Sequence, residues 1–283
     1  MQNPHAKWRT EFARRLTTPL QTFEGVQAIV VAGSIARNYA DEYSDVEIPI
    51  FWKTPPGDEI RHEIVETLKA SFLSPYNGPA CEDQLLIDGL QVDLWHITVS
   101  AQEAMLDAVL QANRSDLESL NAMDTIRCCV PLFGDEIVQA WKQRAKEYPQ
   151  KLAEAIIRQH LDAFKIDQLS LSARRHDPTD FYAQLSQLQH EVFLVLLALN
   201  KEYFPTFKWM YRSLESMRVK PVSVCERLRQ AFTSSYQQAI ADTKQILLET
   251  VELVEVRHPL PDLNAIRRRL SYVREPLEKP INP

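Results

Sequence analysis

The chain has 283 residues, 45% hydrophobic and 25% charged, and its 32 Lys and Arg against 38 Asp and Glu leave a net charge of −6. That length suits two cores, and that composition excludes wholesale disorder. The acidic balance excludes an extended, sequence-independent nucleic-acid surface, which needs a basic face, while leaving room for a small cationic pocket.

Residues 5–19 place Trp8, Phe12 and Leu16 one turn apart, the spacing of an amphipathic helix. GVQAIVVAG (25–33) is a β-branched apolar run ending in glycine, the pattern of a strand buried on both faces. DVEIPIFW (45–52) alternates, with Asp45 and Glu47 on one face and Val46, Ile48 and Ile50 on the other. Pro49 cannot donate to a ladder, which puts this strand at an edge or makes it irregular there. A helix is expected over 59–73. CEDQLLIDGLQVDLWHITVS (81–100) reads as a hairpin turning at Asp88-Gly89, with Gln91, Asp93 and Trp95 on one face of its second strand and Val92, Leu94 and His96 on the other. Helical periodicity returns over 101–121, and 124–133 is a short apolar segment of open type.

From about residue 136 the spacing predicts helices over 136–147, 150–175, 179–202, 207–218, 222–232, 235–256 and 262–273. Pro149, Pro178, Pro205, Pro221 and Pro261 punctuate them near their starts. The expected fold class is α+β: a domain over 1–135 built on a mixed sheet flanked by helices, then an all-helical domain over 136–283 closing a cleft on it. The tail REPLEKPINP reads as extended.

Cys81, Cys128, Cys129 and Cys225 form no C-x-x-C pair and no zinc spacing, and the adjacent Cys128-Cys129 reads as two buried thiols. MQNPHAKWRTEFARRL has no apolar core of a signal peptide, and EVFLVLLALN (191–200) is too short to span a bilayer. A reducing cytoplasm and no membrane partner are expected.

Three features carry chemistry. Gly33-Ser34 closes a buried strand, where a glycine lets backbone approach a bulky anion and the Ser34 hydroxyl and neighbouring amides can bond phosphate oxygens. By itself a Gly-Ser pair there is an ordinary turn. Ser44-Asp45-Val46-Glu47 sets two carboxylates on one strand face, and charges held that close need a cation, a proton or solvent. Oxygen donors of this kind suit Mg²⁺ bound together with substrate phosphates, although a solvated sheet face would also accept them. Asp93 tips the balance, because a third carboxylate from another hairpin can join the first two across adjacent strands. Such a set is the hardware of metal-assisted phosphoryl or nucleotidyl transfer.

Gly33-Ser34, then Ser44-Asp45-Val46-Glu47, then the distant strand residue Asp93, resembles the signature of the DNA polymerase β-like nucleotidyltransferase superfamily. Residues 25–100 carry the resemblance. The length and the helical second half look like the two-domain antibiotic nucleotidyltransferases of the aminoglycoside type, which adenylylate small hydroxylated molecules. The resemblance implies that Gly33 and Ser34 hold the β- and γ-phosphates, with Ser44 in the nucleotide-binding set. It implies that Asp45 and Glu47 ligate Mg²⁺, and that Asp93 is the third ligand or the base that deprotonates the acceptor. Arg37-Asn38 departs from the small residue usual after Gly-Ser, and Glu47 replaces a second aspartate.

In NKEYFPTFKWMYRSLE (200–215), Lys208 and Arg212 lie one helical turn apart beside Trp209 and Tyr211. In similar proteins a basic residue of the helical domain reaches the triphosphate, which makes Lys208 the first candidate and Arg212 the second; a surface helix with snorkelling cations would look the same. His96 is expected in the core or at the surface, and His190 and Glu191 to satisfy each other at a helix boundary. Arg174-Arg175-His176 reads as a basic helix end, without the Arg-x4-His spacing of helical RNase toxins.

The expected function is Mg²⁺-dependent transfer of a nucleoside monophosphate from ATP or another NTP to a hydroxyl of a small-molecule acceptor, with an aminoglycoside-like cation as one such acceptor. The rivals are a protein or RNA adenylyltransferase, and a nucleotide-binding module without turnover. Arg37-Asn38 supports the last, and a dispersed carboxylate trio would favour it.

Overall fold

The computed structural model describes residues 3–74, 82–258 and 263–276. Cys81, Pro261 and the end of the tail (277–283) lie outside them. The chain divides into two compact units, Met1–Glu147 and Tyr148–Pro283.

In the first unit Asn3 caps α1 (Pro4–Leu20), its side chain accepting from the His5 amide, with a proline at the first helical position. There follow β1 (Val26–Val31), α2 (Gly33–Ala36), β2 (Val46–Trp52), α3 (Asp58–Thr67), β3 (Ser71–Phe72), β4 (Glu82–Ile87), β5 (Leu90–Thr98), α4 (Val99–Leu110), α5 (Leu117–Cys128), β6 (Val130–Phe133) and α6 (Asp135–Arg144). The strands form one mixed sheet in the order β3-β4-β5-β2-β1-β6. Only β2 and β5 pair in parallel among the described strands. Asp88 and Gly89 both take positive φ, 51° and 83°, as a two-residue hairpin turn between β4 and β5 requires.

Val46, Ile48, Ile50 and Trp52 of β2 join Val92 and Leu94 of β5 and Leu85 and Ile87 of β4 in a core with Phe12, Ala13 and Leu20 of α1 and Ile64 and Val65 of α3. Each large side chain removed from water there contributes about 2 kcal/mol, so this face anchors the sheet. On the opposite face Phe51 packs against Trp141 of α6, ring centroids 4.7 Å apart. Helix α6 therefore belongs to the first unit, which runs past the expected boundary at 135.

Four local expectations need correction. Strand β2 is central, not at an edge: Pro49 lies opposite Trp95 of β5, and the β1 register ends at Ile50, so the missing donor falls just beyond the last β1 partner. Asp45 stands at the entry to β2 and not within it. The helix expected over 59–73 stops at Thr67, where Lys69 turns left-handed (φ 53°), and Ser71–Phe72 pair with β4. The helix expected over 101–121 is two helices, because Asn113 takes φ 57° and Asp116 caps α5 by accepting from the Ser119 amide.

The second unit is helical: α7 (Gln150–Leu161), α8 (Asp167–Arg174), α9 (Pro178–Asn200), a 3-10 turn at Phe207–Trp209, α10 (Met210–Ser216), α11 (Val224–Gln230), α12 (Tyr236–Arg257) and α13 (Leu263–Ser271). Asp177 caps α9, which packs on α7, α8 and α12, and its apolar run Val192–Leu199 is buried. The helix expected over 150–175 breaks after Leu161, and the break buries Phe164 and Ile166. Among the described residues no helix is long and apolar enough to cross a membrane.

Candidate active site

The site is built where β1 ends and β2 begins. The Ala32 amide donates to the Glu47 carbonyl (3.0 Å), which stitches the end of β1 to β2 and brings Gly33 under the Glu47 side chain. A Cβ built on Gly33 would stand 1.2 Å from Glu47 Oε2, and Gly33 takes φ +59°. Glycine is thus required twice, for the conformation and for the space the carboxylate fills. Ser34, one residue on, is 3% exposed, and its hydroxyl oxygen is buried with no hydrogen-bond partner. A buried hydroxyl in that state costs free energy unless a ligand satisfies it.

Strand register supplies the second half. Glu47 of β2 lies directly opposite Asp93 of β5 in the parallel pair, and Gln84 of β4 lies opposite Asp93 on its other side. Strand neighbours stand about 5 Å apart, so the two carboxylates share one face of the sheet as immediate neighbours. Asp93 is 6% exposed and both its oxygens accept from the side-chain Nε2 of Gln91 (3.1 and 3.3 Å). Like charges in that position need a compensating group, which is the arrangement a divalent cation relieves.

Asp45 is half-buried just ahead of them, on a loop held from behind. Arg9 of α1 is 2% exposed, and it donates from Nε to the Ser44 carbonyl (2.8 Å) and from Nη2 to the Glu42 carbonyl (3.3 Å). Burial pushes the Arg9 guanidinium down, and the nearby charges of Asp41 and Asp45 oppose that shift. The Ser44 hydroxyl donates to Asp41 Oδ1 (2.8 Å) and accepts from the Asp41 amide (2.9 Å), so it closes the turn that presents Asp45. The departures at 37 and 38 also acquire places. Arg37 pairs with Asp124 of α5, both nearly buried. Asn38 takes φ 60°, a region asparagine enters more cheaply than most residues, and its Oδ1 accepts from the Asn3 amide (2.7 Å).

The structure therefore brings Glu47, Asp93, Gly33 and Ser34 together and sets Asp45 at their margin. Among the described residues no three His, Cys, Asp or Glu side chains are gathered as a metal-holding group. Lys208 and Arg212 belong to the second unit, where both cations lie over the Trp209 ring, 5.4 and 5.5 Å from its centroid. In that unit His190 and Glu191 do not satisfy each other: Glu191 accepts from His160 Nδ1 (2.6 Å), and His190 stacks on Phe207 at 3.7 Å. Burial pushes the Cys128 thiol up and the Cys129 thiol to about 11, which disfavours the thiolate at both.

Sequence reasoning missed Gln91 and Arg9. The signal for Gln91 was its place two residues from Asp93 on one strand face. Arg9, on the exposed-looking turn of an amphipathic helix, offered none.

Replacing Gly33 by Ala is expected to leave the fold intact, cost about 1–2 kcal/mol through the left-handed φ, and displace the Glu47 carboxylate. Thermal melting checks the first two. A crystal structure of the variant checks the third, and a Glu47 carboxylate unmoved in it would show that the space at Gly33 does not set its position.

A family model described as a domain of unknown function (DUF4037) matches residues 130–210. A nucleotidyltransferase-like protein from Exiguobacterium sibiricum 255-15 is similar in structure at 12% identity, with 87% of this chain and 76% of that chain covered and a TM-score of 0.38. No curated protein matches.

Proposed function

We propose that the chain is a nucleotidyltransferase that moves a nucleoside monophosphate from ATP or another NTP to a hydroxyl of a small-molecule acceptor. The observation that supports it is the register placing Glu47 beside Asp93, with Gly33 under Glu47 and the unsatisfied Ser34 hydroxyl next to it. The donor set is oxygen-only and fits Mg²⁺ shared with substrate phosphates. Glu47 and Asp93 would hold the ion, and it would supply neutralisation of charge developing on the phosphoryl oxygens.

The chain's own residues do the rest. The Ser34 hydroxyl donates to a phosphate oxygen, and Gly33 lets the backbone come close enough for the neighbouring amides to do the same. Asp93 takes the proton of the acceptor hydroxyl as its oxygen bonds to the α-phosphorus and pyrophosphate leaves. Gln91 holds the Asp93 carboxylate in orientation. Positioning and preset electrostatics carry most of the rate in this chemistry. An acidic wall favours a cationic acceptor, in keeping with the net charge of −6.

The lack of a three-carboxylate group among the described residues favours a second reading, a nucleotide-binding module without turnover. Titration with a non-hydrolysable ATP analogue, with and without Mg²⁺, beside an Asp45→Ala variant tests the site itself. Metal-dependent binding lost in the variant is expected, and no binding to the parent sinks both readings. Pyrophosphate release from ATP over a panel of hydroxylated acceptors separates them, since only the enzyme releases it.

A further inference from the structure

Arg37 has a cationic side chain three residues from Ser34, yet it does not face the phosphate turn as an open cation. It is the residue that ends α2, its amide donating back to the Gly33 and Ile35 carbonyls. Its Nε donates to Asp124 Oδ2 at 2.8 Å, Nη2 pairs with the same oxygen, and the two side chains are 8% and 6% exposed. Cys128, one turn on in α5, directs its Sγ at the other Asp124 oxygen (3.8 Å). A helix of only four residues, Gly33–Ala36, has little stability of its own, so what it is tied to decides where the Ser34 hydroxyl points. On its far side the same segment is tied through Asn38 and Ala40 to Asn3. On the α5 side the tie is a buried ion pair spanning 87 residues of sequence.

We propose that Asp124 and Arg37 are positioning residues of the nucleotide site: their ion pair locks the Gly33–Ala36 turn against α5 so that the Ser34 hydroxyl and the turn amides meet a triphosphate. The inference rests on the nucleotidyltransferase reading. It differs from a merely structural role in one respect. A locked phosphate turn governs affinity for the triphosphate and not for the nucleoside, whereas general destabilisation lowers both.

The test compares the full chain with Asp124→Asn, Arg37→Lys and the charge exchange Arg37→Asp with Asp124→Arg. Each is titrated with Mg²⁺ and α,β-methylene-ATP, and separately with adenosine, with thermal melts alongside. The expected result is a loss of about tenfold or more in analogue affinity for Asp124→Asn with adenosine affinity unchanged, partial retention in Arg37→Lys, and recovery in the charge exchange. Equal losses for analogue and adenosine, or an unaltered analogue affinity in Asp124→Asn, overturn the proposal while leaving the nucleotide site standing. A parent protein that binds neither ligand overturns the site and this inference with it. If Asp124→Asn melts too low to titrate, the Arg37→Lys and charge-exchange variants decide on the same criteria.

Discussion

Under the proposed function, Asp93→Asn is expected to melt higher than the parent protein while losing metal-dependent nucleotide binding. Glu47 and Asp93 oppose each other across a parallel strand pair, and like charges in that relation cost up to about 1 kcal/mol. Asparagine keeps the shape and still accepts from the side-chain Nε2 of Gln91, so the packing around position 93 survives. Relief of the repulsion should raise the melting temperature of the first unit by about 3 °C. Gain of stability with loss of function is the signature of a site whose charges were placed for a ligand and not for the fold. Melting curves and calorimetric titration of the one variant read both halves. A lower melting temperature would make the Asp93 carboxylate a structural group and remove the main support for the site.

Asp83→Asn is expected to do the reverse, at greater magnitude. Behind the sheet Asp83 accepts from Arg61 Nε (2.9 Å), pairs with Arg61 Nη2, and lies 2.9 Å from His96 Nε2, with all three side chains nearly buried. Trp52 Nε1 can only donate, and it meets His96 Nδ1 at 3.2 Å; that nitrogen is therefore the acceptor, and His96 carries its proton on Nε2, facing Asp83. Removing the carboxylate leaves a buried guanidinium uncompensated, at a cost of about 3–5 kcal/mol and a fall in melting temperature on the order of 10 °C.

The pH dependence follows from the direction of the Asp83 shift. Burial alone would raise its pKa, but the hydrogen bonds from His96 and Arg61, with the Arg61 charge, outweigh burial and hold the carboxyl below its ordinary range. A carboxyl whose folded-state pKa is depressed contributes stability that is fully present above its unfolded value of about 4 and is lost as pH falls through the lower folded value. The gap between parent and variant should accordingly be widest near neutrality and narrow on acidification below about pH 4. Urea unfolding at several pH values measures it, and a gap independent of pH would mean that the network stabilises by packing alone.

Two of these residues show how far one-dimensional reasoning reaches. Alternation along β5 put Asp93 and His96 on opposite faces, and they lie there, one beside Glu47 and the other beneath the sheet on Asp83. The same alternation could not say that β2 is a central strand, because Pro49 weighs against a central position unless its missing donor falls outside a ladder, and only the register reveals that it does. Ser44 belongs to the expected nucleotide-binding set, and its hydroxyl closes a turn with Asp41. Local side-chain bonds of this kind compete with ligand contacts and leave no periodic trace.

Whatever depends on neighbours a few residues apart was therefore determined by the sequence alone. The buried strand just ahead of Gly33, the hairpin turning at Asp88-Gly89, the helical second half and the α+β class all follow from periodicity and backbone chemistry acting locally. The tertiary structure alone decided which distant side chains meet: Glu47 with Asp93, Gly33 with Glu47, Arg37 with Asp124, and Arg9 with the carbonyl before Asp45. The first two of those contacts come from strand order and register, which one buried apolar face sets for the whole sheet at once, since a slip of one residue would turn every side chain of a strand to the wrong side. The other two come from helices packing on that sheet.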